Sequence, residues 1–534
     1  MARLPQPGGD AGNWGSILND YLSQSHKSDG TIKDGAVDAS AVAVNTVSKN
    51  QLQAGLRSEI DSKITQTTAD RTYAIFFNVK SPAFGALGNG VNDDRAAIQA
   101  ACDAAVAAGG GIVYLPEGTY MLGRSSPSDT ELLKLLDRVT LRGAGKDKTL
   151  LFLDPTTPTS STGLVGVRIG NIDANVSDVV VEDLELNMNT SIINASTSSA
   201  NQLWGIGSRF EGATSLVTAQ LCARNITVRR CRVLDSRIAI TFAKVAVSTA
   251  VDDSYLNQFI TIEDNEVNGT WNRSIEVAFS TNFSIRRNVI RGRGFLHVLA
   301  FCYMGWVEDN DIEYGRDAYS MTGNADKPGA SAGPTGLYLS TGIHHIWISR
   351  NYIRAHKFAS TAVAGAIQIR TEQWALTLVM HHIYFTDNIL INTTATSKRV
   401  LDFNTQSAVL SNTIHDIYFY RDTPEGAPKL YGGTSSTLHI NNWQFDSCTL
   451  TEPIDAVDHS TVDVDDIRFV RTKMSGAQAV SLTNSEFERC VFPGSLTLTT
   501  GSSNIEVIAA RTANGSVVDN GTGNVVTGSR TLLS

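Results

Sequence analysis

The sequence predicts an all-β chain wound as a right-handed parallel β-helix, and three observations predict it. One phrase recurs: FITIEDNEVNG around Asn265 returns as NFSIRRNVIRG around Asn288, MGWVEDNDIEYG around Asn310, HIWISRNYIRAH around Asn351 and HIYFTDNILINT around Asn388. The steps between these asparagines are 23, 22, 41 and 37 residues, one compact unit with loops of variable length added, which is how a solenoid repeats. Within each copy apolar and polar residues alternate, as in Ile260-Thr261-Ile262 and Ile346-Trp347-Ile348, the period of a strand.

Each copy reads as strand, bend, second strand. Asparagine tolerates left-handed backbone, and its amide can bond the equivalent residue one coil away. The copies therefore predict an asparagine ladder. Looser copies upstream and downstream mark Leu184, Cys231, Asp422, Cys448, Thr472 and Cys490, with the three cysteines in one interior slot where a small thiol packs well. Helical repeats fail as a rival, because no 3.6-residue stripe persists and Val, Ile, Thr and Phe dominate.

The flanks differ from this body, and four regions follow: 1–75, 76–155, 156–494 and 495–534. In the first, Ser16–Ser25 suits a short helix, Asp29-Gly30 a tight turn, and Asn50–Thr65 a second helix with Leu52, Leu56, Ile60 and Ile64 every four residues. One such stripe needs partner helices, so a coiled bundle between subunits is expected. In the second, Ala96–Ala108 is an Ala-rich helix expected to cover the open end of the solenoid. Asp93 and Asp94 precede it where a helix is N-capped, and we read them as cap and turn rather than as a catalytic pair. The last region turns to Thr, Ser, Gly and Asn and predicts a small β-rich terminal cap.

The chain has 534 residues, 42% hydrophobic and 18% charged, with net charge −9. That balance argues against nucleic acid as a partner. No apolar run reaches a membrane span, and MARLPQPGGDAGNWG lacks the basic-then-apolar order of a secretory signal. Six cysteines form no CxxC and no zinc spacing. No cofactor is expected.

Candidate chemistry lies on the strand that precedes each asparagine phrase. Reading in–out alternation puts Thr241, Glu276, His297, Tyr338, Gln368 with Arg370, and Asp402 in one outward column, with Arg209 near the line. Glycoside hydrolysis needs two carboxyls roughly 5–9.5 Å apart. Asp402 lies four coils from Glu276, about 19 Å at the strand spacing. A partner for Glu276 is therefore expected from a loop, with Asp317 and Asp326 in the long stretch between the His297 and Tyr338 strands as candidates. Glu276 and His297 are read as sharing a proton. A lyase would instead need a base and a cation, and Arg209, Arg370 and His297 suit that role. The pairs His344-His345, His381-His382 and His415-Asp416 occupy one slot that Asn225 and Asn282 fill elsewhere. We read a polar turn position there, not a metal site. Trp204, Trp271, Trp306, Trp347, Trp374 and Trp443 offer rings for sugar or core.

Two stretches carry resemblances. PQPGGDAGNWGSILNDYL…SDGTIK is similar to the leader of tail proteins encoded by phages and prophages of actinobacteria, which implies attachment to a tail or baseplate protein. FGALGNGVNDDRAAIQAACDAAVAAGGGIVYLPEGTYML, residues 84–122, resembles the opening of the pectate-lyase-like β-helix superfamily, shared with many phage tailspikes. Together they imply a homotrimeric tailspike of the virion tail. It would bind, and by hydrolysis in preference to elimination depolymerise, a bacterial surface polysaccharide. A non-catalytic receptor-binding spike and a free polysaccharide hydrolase or lyase are the alternatives.

Overall fold

The computed structural model describes residues 3–33, 75–126, 128–154, 156, 163–170, 175–189, 203–208, 222–243, 256–270, 272–292, 294–314, 335–340, 342–355, 365–371, 379–392, 399–405, 412–425, 427–433, 438–450, 462–474, 478–480, 482–512 and 517–531. The chain divides into two compact units, Met1–Ala74 and Ile75–Ser534.

In the first unit helix α1, Trp14–Ser25, covers the predicted helix. A tight turn follows it: Gly30 takes φ +82°, the Asp29 carboxylate accepts the Thr31 N–H at 2.9 Å, and His26 bridges Ile32 antiparallel. The helix predicted at Asn50–Thr65 lies outside the described residues.

The second unit is the solenoid. Its helix α2, Arg95–Ala107, buries Ile98, Ala101, Cys102 and Ala105 against the first coils. The two aspartates before it are structural, as expected. Asp94 accepts the N–H groups of Leu87 and Gly88. Asp93 accepts those of Arg95 and Gly123. Three long parallel sheets follow, with 17, 11 and 10 strands among the described residues. Each coil runs from the largest sheet (the base sheet, for example Asn257–Glu263) through a corner to the turn sheet (Glu266–Thr270) and then to the third sheet (Arg273–Ala278). We call the third the site sheet.

The corner between base sheet and turn sheet holds the asparagine ladder. Asn265 donates both its backbone N–H and its amide to the Asn288 Oδ1, at 3.1 and 3.0 Å. Asn288 repeats this on Asn310, Asn310 on Asn351, Asn351 on Asn388, and Asn388 on Asp422. All six are at most 1% exposed, so each bond satisfies a group that would otherwise be buried alone. Cys231 continues the column on one side, its N–H on the Asn265 Oδ1. All six cysteines are free and buried, and burial pushes the thiols of Cys231 and Cys490 up to about 12.

One residue before the ladder, every corner is left-handed. Asp183, Arg230, Asp264, Arg287, Asp309, Arg350, Asp387 and Arg421 all have φ between 52° and 59°. Sequence reading treats this position only as polar. The fold alternates its sign, so that Arg230 pairs with Asp183, Arg287 with Asp264, Arg350 with Asp309 and Arg421 with Asp387 at 2.6–2.8 Å. These pairs are half-exposed and act as weak surface contacts. Arg350→Gln is expected to cost less than about 1 kcal/mol, and thermal melts in high salt should erase the difference.

Inside, phenylalanines stack from coil to coil. Phe385, Phe419, Phe445, Phe469 and Phe487 have centroids 4.5–5.0 Å apart and nearly parallel planes. Described strands Glu506–Ile508 and Val525–Thr527 extend the base sheet through the last region. The last region, which reads as a small β-rich terminal cap, is β-rich in its described part, and its strands continue the base sheet.

Candidate functional site

The predicted column forms a register line on the site sheet. Thr241 pairs with Glu276, Glu276 with His297, His297 with Tyr338, Tyr338 with Gln368, and Gln368 with Asp402. The neighbouring Ile240, Ile275, Leu296, Leu337 and Ile367 point into the core. Alternation in sequence thus translates into opposite faces, as strand geometry requires.

The line faces outward from the core, as the alternation predicts, yet it is buried rather than open to solvent. Thr241, Glu276, His297, Tyr338 and Gln368 are each at most 1% exposed. Among the described residues, Phe295 and Tyr314 pack with Tyr338 on this outer face. The Phe295 and Tyr338 rings meet edge to face at 5.6 Å.

At the centre is a carboxylate held from two sides. Thr241 donates its hydroxyl to the Glu276 Oε2 at 3.0 Å, and the Arg273 guanidinium bonds the Glu276 Oε1. The His297 Nδ1 lies 3.9 Å from that same oxygen. Beyond it, the His297 and Tyr338 rings have centroids 4.4 Å apart. Carboxylate, imidazole and phenol thus occupy three consecutive coils, with the amide of Gln368 in the fourth. The Gln368 Oε1 and the Ser340 Oγ are buried without a hydrogen-bond partner, as is the Arg273 Nε. Unpartnered groups of this kind cost roughly 1–3 kcal/mol each, and they cluster on the outer face of one sheet.

Sequence reading missed Arg273 and Ser340. In an unbroken strand residues 273 and 276 face opposite ways. The register slips between Arg273 and Ile275, and this irregularity turns the guanidinium outward beside Glu276. No signal in the sequence announces a bulge there. Arg370 falls one line over from its predicted place, paired with Ser340 rather than Tyr338. Asp402 keeps its predicted register opposite Gln368. Arg209, Asp317 and Asp326, with Trp271 and Trp374, lie outside the described residues.

The histidine pairs sit on the base sheet. His345, His382 and Asp416 share left-handed φ of 53–57° with Asn225 and Asn282, as a polar turn position should. His344, His381 and His415 stack at 4.9 and 5.2 Å. Burial, then the neighbouring imidazoles, lower the His381 pKa to about 4. Among the described residues no group of three or more His, Cys, Asp or Glu is arranged to hold a metal. Trp443 is core, and Trp204 packs with Val165 and Ile238. Trp306 and Trp347 stack with Tyr384 and Tyr418 along the outer face of the base sheet.

Residues 76–292 match the family model described as rhamnogalacturonase A/epimerase, pectate lyase-like. The parallel three-sheet architecture makes the second unit a right-handed parallel β-helix, and its residues 76–292 are similar to that family. Its similar relatives include the mannuronan C5-epimerase AlgE4 of Azotobacter vinelandii, 45% identical over 113 residues, which are 21% of this chain and 20% of that protein. Alginate lyase 7 of the same organism is 38% identical over 108 residues, 20% of this chain and 12% of that protein. The match thus spans about a fifth or less of these relatives' length. Among solved structures, the AlgE4 A-module is 19% identical at TM-score 0.42, covering 86% of this chain and 100% of that one. A tailspike mutant of E. coli bacteriophage HK620 is 12% identical at TM-score 0.47, covering 85% of this chain and 78% of that one.

Proposed function

We propose that this chain is a phage tailspike that binds and depolymerises a bacterial surface polysaccharide, with the reaction carried by the site-sheet line. The observation that carries this reading is that line itself, in which Glu276, His297 and Tyr338 stand in consecutive coils beside Gln368, whose Oε1 is buried without a hydrogen-bond partner. The relatives' names, epimerase and lyase of polysaccharides, support a glycan substrate. The resemblance of the leader supports attachment to a tail, and a homotrimer belongs to the same reading.

Thr241 and Arg273 both bond the Glu276 carboxyl and hold it beside His297. Its role is to orient and charge-balance His297 as that imidazole takes a proton, and the Tyr338 hydroxyl is placed to return one to a leaving oxygen. The hydrolytic preference read from sequence needs a second carboxyl within about 9.5 Å. The line supplies none, since Asp402 stands four strands away, about 19 Å at the strand spacing. Elimination next to a uronate carboxyl needs a base, an acid and a cation to hold the uronate rather than a second carboxyl, so the line suits it better.

The test is incubation of the purified protein with host envelope polysaccharide. Unsaturated-uronate absorbance is the expected result. New reducing ends without it mean hydrolysis, and retention without cleavage means a binding spike. Glu276→Gln is expected to lower turnover at least tenfold while glycan retention persists, and unchanged turnover removes Glu276 from the site.

A further inference from the structure

We infer that the outer face of the base sheet carries a second glycan-binding strip, on which a polysaccharide chain lies along the solenoid axis against Trp306, Trp347, Tyr384 and Tyr418. This rests on the reading that the chain engages polysaccharide, and it concerns a different sheet from the line around Glu276.

The four rings belong to four consecutive coils in direct register. Their centroids are 5.4, 5.7 and 5.2 Å apart, with planes within 12° of parallel. All four are partly solvent-exposed. Stacked this way, the rings turn their edges outward, so the strip presents indole N–H, phenol O–H and aromatic C–H groups once per coil. A sugar ring offers hydroxyls and C–H faces in the same alternation. The repeat is also commensurate, because coils recur about every 4.8 Å, close to the length of one pyranose in an extended chain. A parallel column beside it holds His344, His381 and His415, which adds imidazole edges, with the Asp416 carboxylate bonded to His415 at its end.

A second copy of this chain fits less well. The two columns span roughly 14 Å by 10 Å at sheet spacings, well below the roughly 800 Å² per partner that a stable protein interface buries. The upstream coils show the strip is not required for folding. There the same register line carries Thr227, Thr261 and Ser284.

The double variant Trp347→Thr/Tyr384→Thr therefore uses a residue the line already accepts. Affinity electrophoresis through gels containing mannuronan or purified capsular polysaccharide measures retention of the long chain. Turnover of short oligomers reports the site sheet separately. The expected result is at least tenfold weaker retention, with oligomer turnover and melting temperature close to the parent's. Retention equal to the parent's in a folded variant overturns the strip. A fall in assembly mass by sedimentation, with retention unchanged, also overturns it and assigns the face to contact between copies. If the double variant does not fold, Tyr418→Ser at the column's end carries the same two outcomes. A parent that neither retains nor cleaves any glycan overturns the functional reading itself, which the strip variants do not affect.

Discussion

Replacing His297 with Asn is expected to lower polysaccharide cleavage by roughly 10²–10⁴-fold, the usual worth of a positioned acid–base group, while leaving the melting temperature within a few degrees. His297 is fully buried between the Glu276 carboxylate and the Tyr338 ring. Of the side-chain types on the line, imidazole is the one suited to both taking and giving a proton. Asparagine keeps a polar side chain facing Glu276 and removes the titrating ring. Glu276 stays balanced by Arg273 and Thr241, so the variant leaves no lone charge. A defect in kcat with KM unchanged is the signature of an interaction made in the transition state. Cleavage at the parental rate, in a variant that melts like the parent, would show that the line is a structural polar seam. Tyr338→Phe is the companion variant. It preserves the edge-to-face contact with Phe295 and removes only the hydroxyl, so a loss there isolates the proton returned to the leaving oxygen.

The register line was legible before any coordinates because a strand alternates strictly and a solenoid keeps every coil in phase. Once Asn265, Asn288 and Asn310 are aligned, Glu276, His297 and Tyr338 fall into line by counting. Counting fails where the backbone departs from that period. The slip before Ile275 brings Arg273 outward, where its guanidinium bonds Glu276. Burial was equally hidden, because Phe295 and Tyr314 cover Tyr338 through packing that no local pattern states. The alternating Asp and Arg corners were visible as letters, yet the pairing is a contact between coils some 23 to 47 residues apart. It follows only from the stacking. Loop positions such as Asp317 and Asp326 obey no repeat, so register says nothing of their place.

The asparagine ladder ends on a carboxyl, and this gives the largest expected stability effect. Asp422 occupies the sixth ladder position, 1% exposed. It accepts the Asn388 backbone N–H and amide on Oδ1, both at 2.8 Å, and the Tyr420 N–H on Oδ2. Desolvation outweighs these bonds and raises its pKa from 3.8 to about 7. A raised carboxyl pKa means the folded chain holds a proton that the unfolded chain releases between those two values. This term of stability is therefore fully present below about pH 4, declines as pH rises, and is lost above about pH 7. At 1.36 kcal/mol per unit over roughly three units, the lost contribution is on the order of 4 kcal/mol. Asp422→Asn supplies permanently what protonation supplies at low pH, because an amide is the near-isostere of a neutral carboxyl. Its Nδ2 is expected to donate to the Phe385 carbonyl, as Asn351 does to Val307 and Asn388 to Ile348. The variant should melt above the parent at pH 8 and close to it at pH 4.5. Comparing the two at each pH cancels the opposing His381 contribution, which falls away as pH drops from about 6.5 to about 4. A difference between variant and parent that does not change with pH would show that Asp422 ionises normally and that the corner admits water.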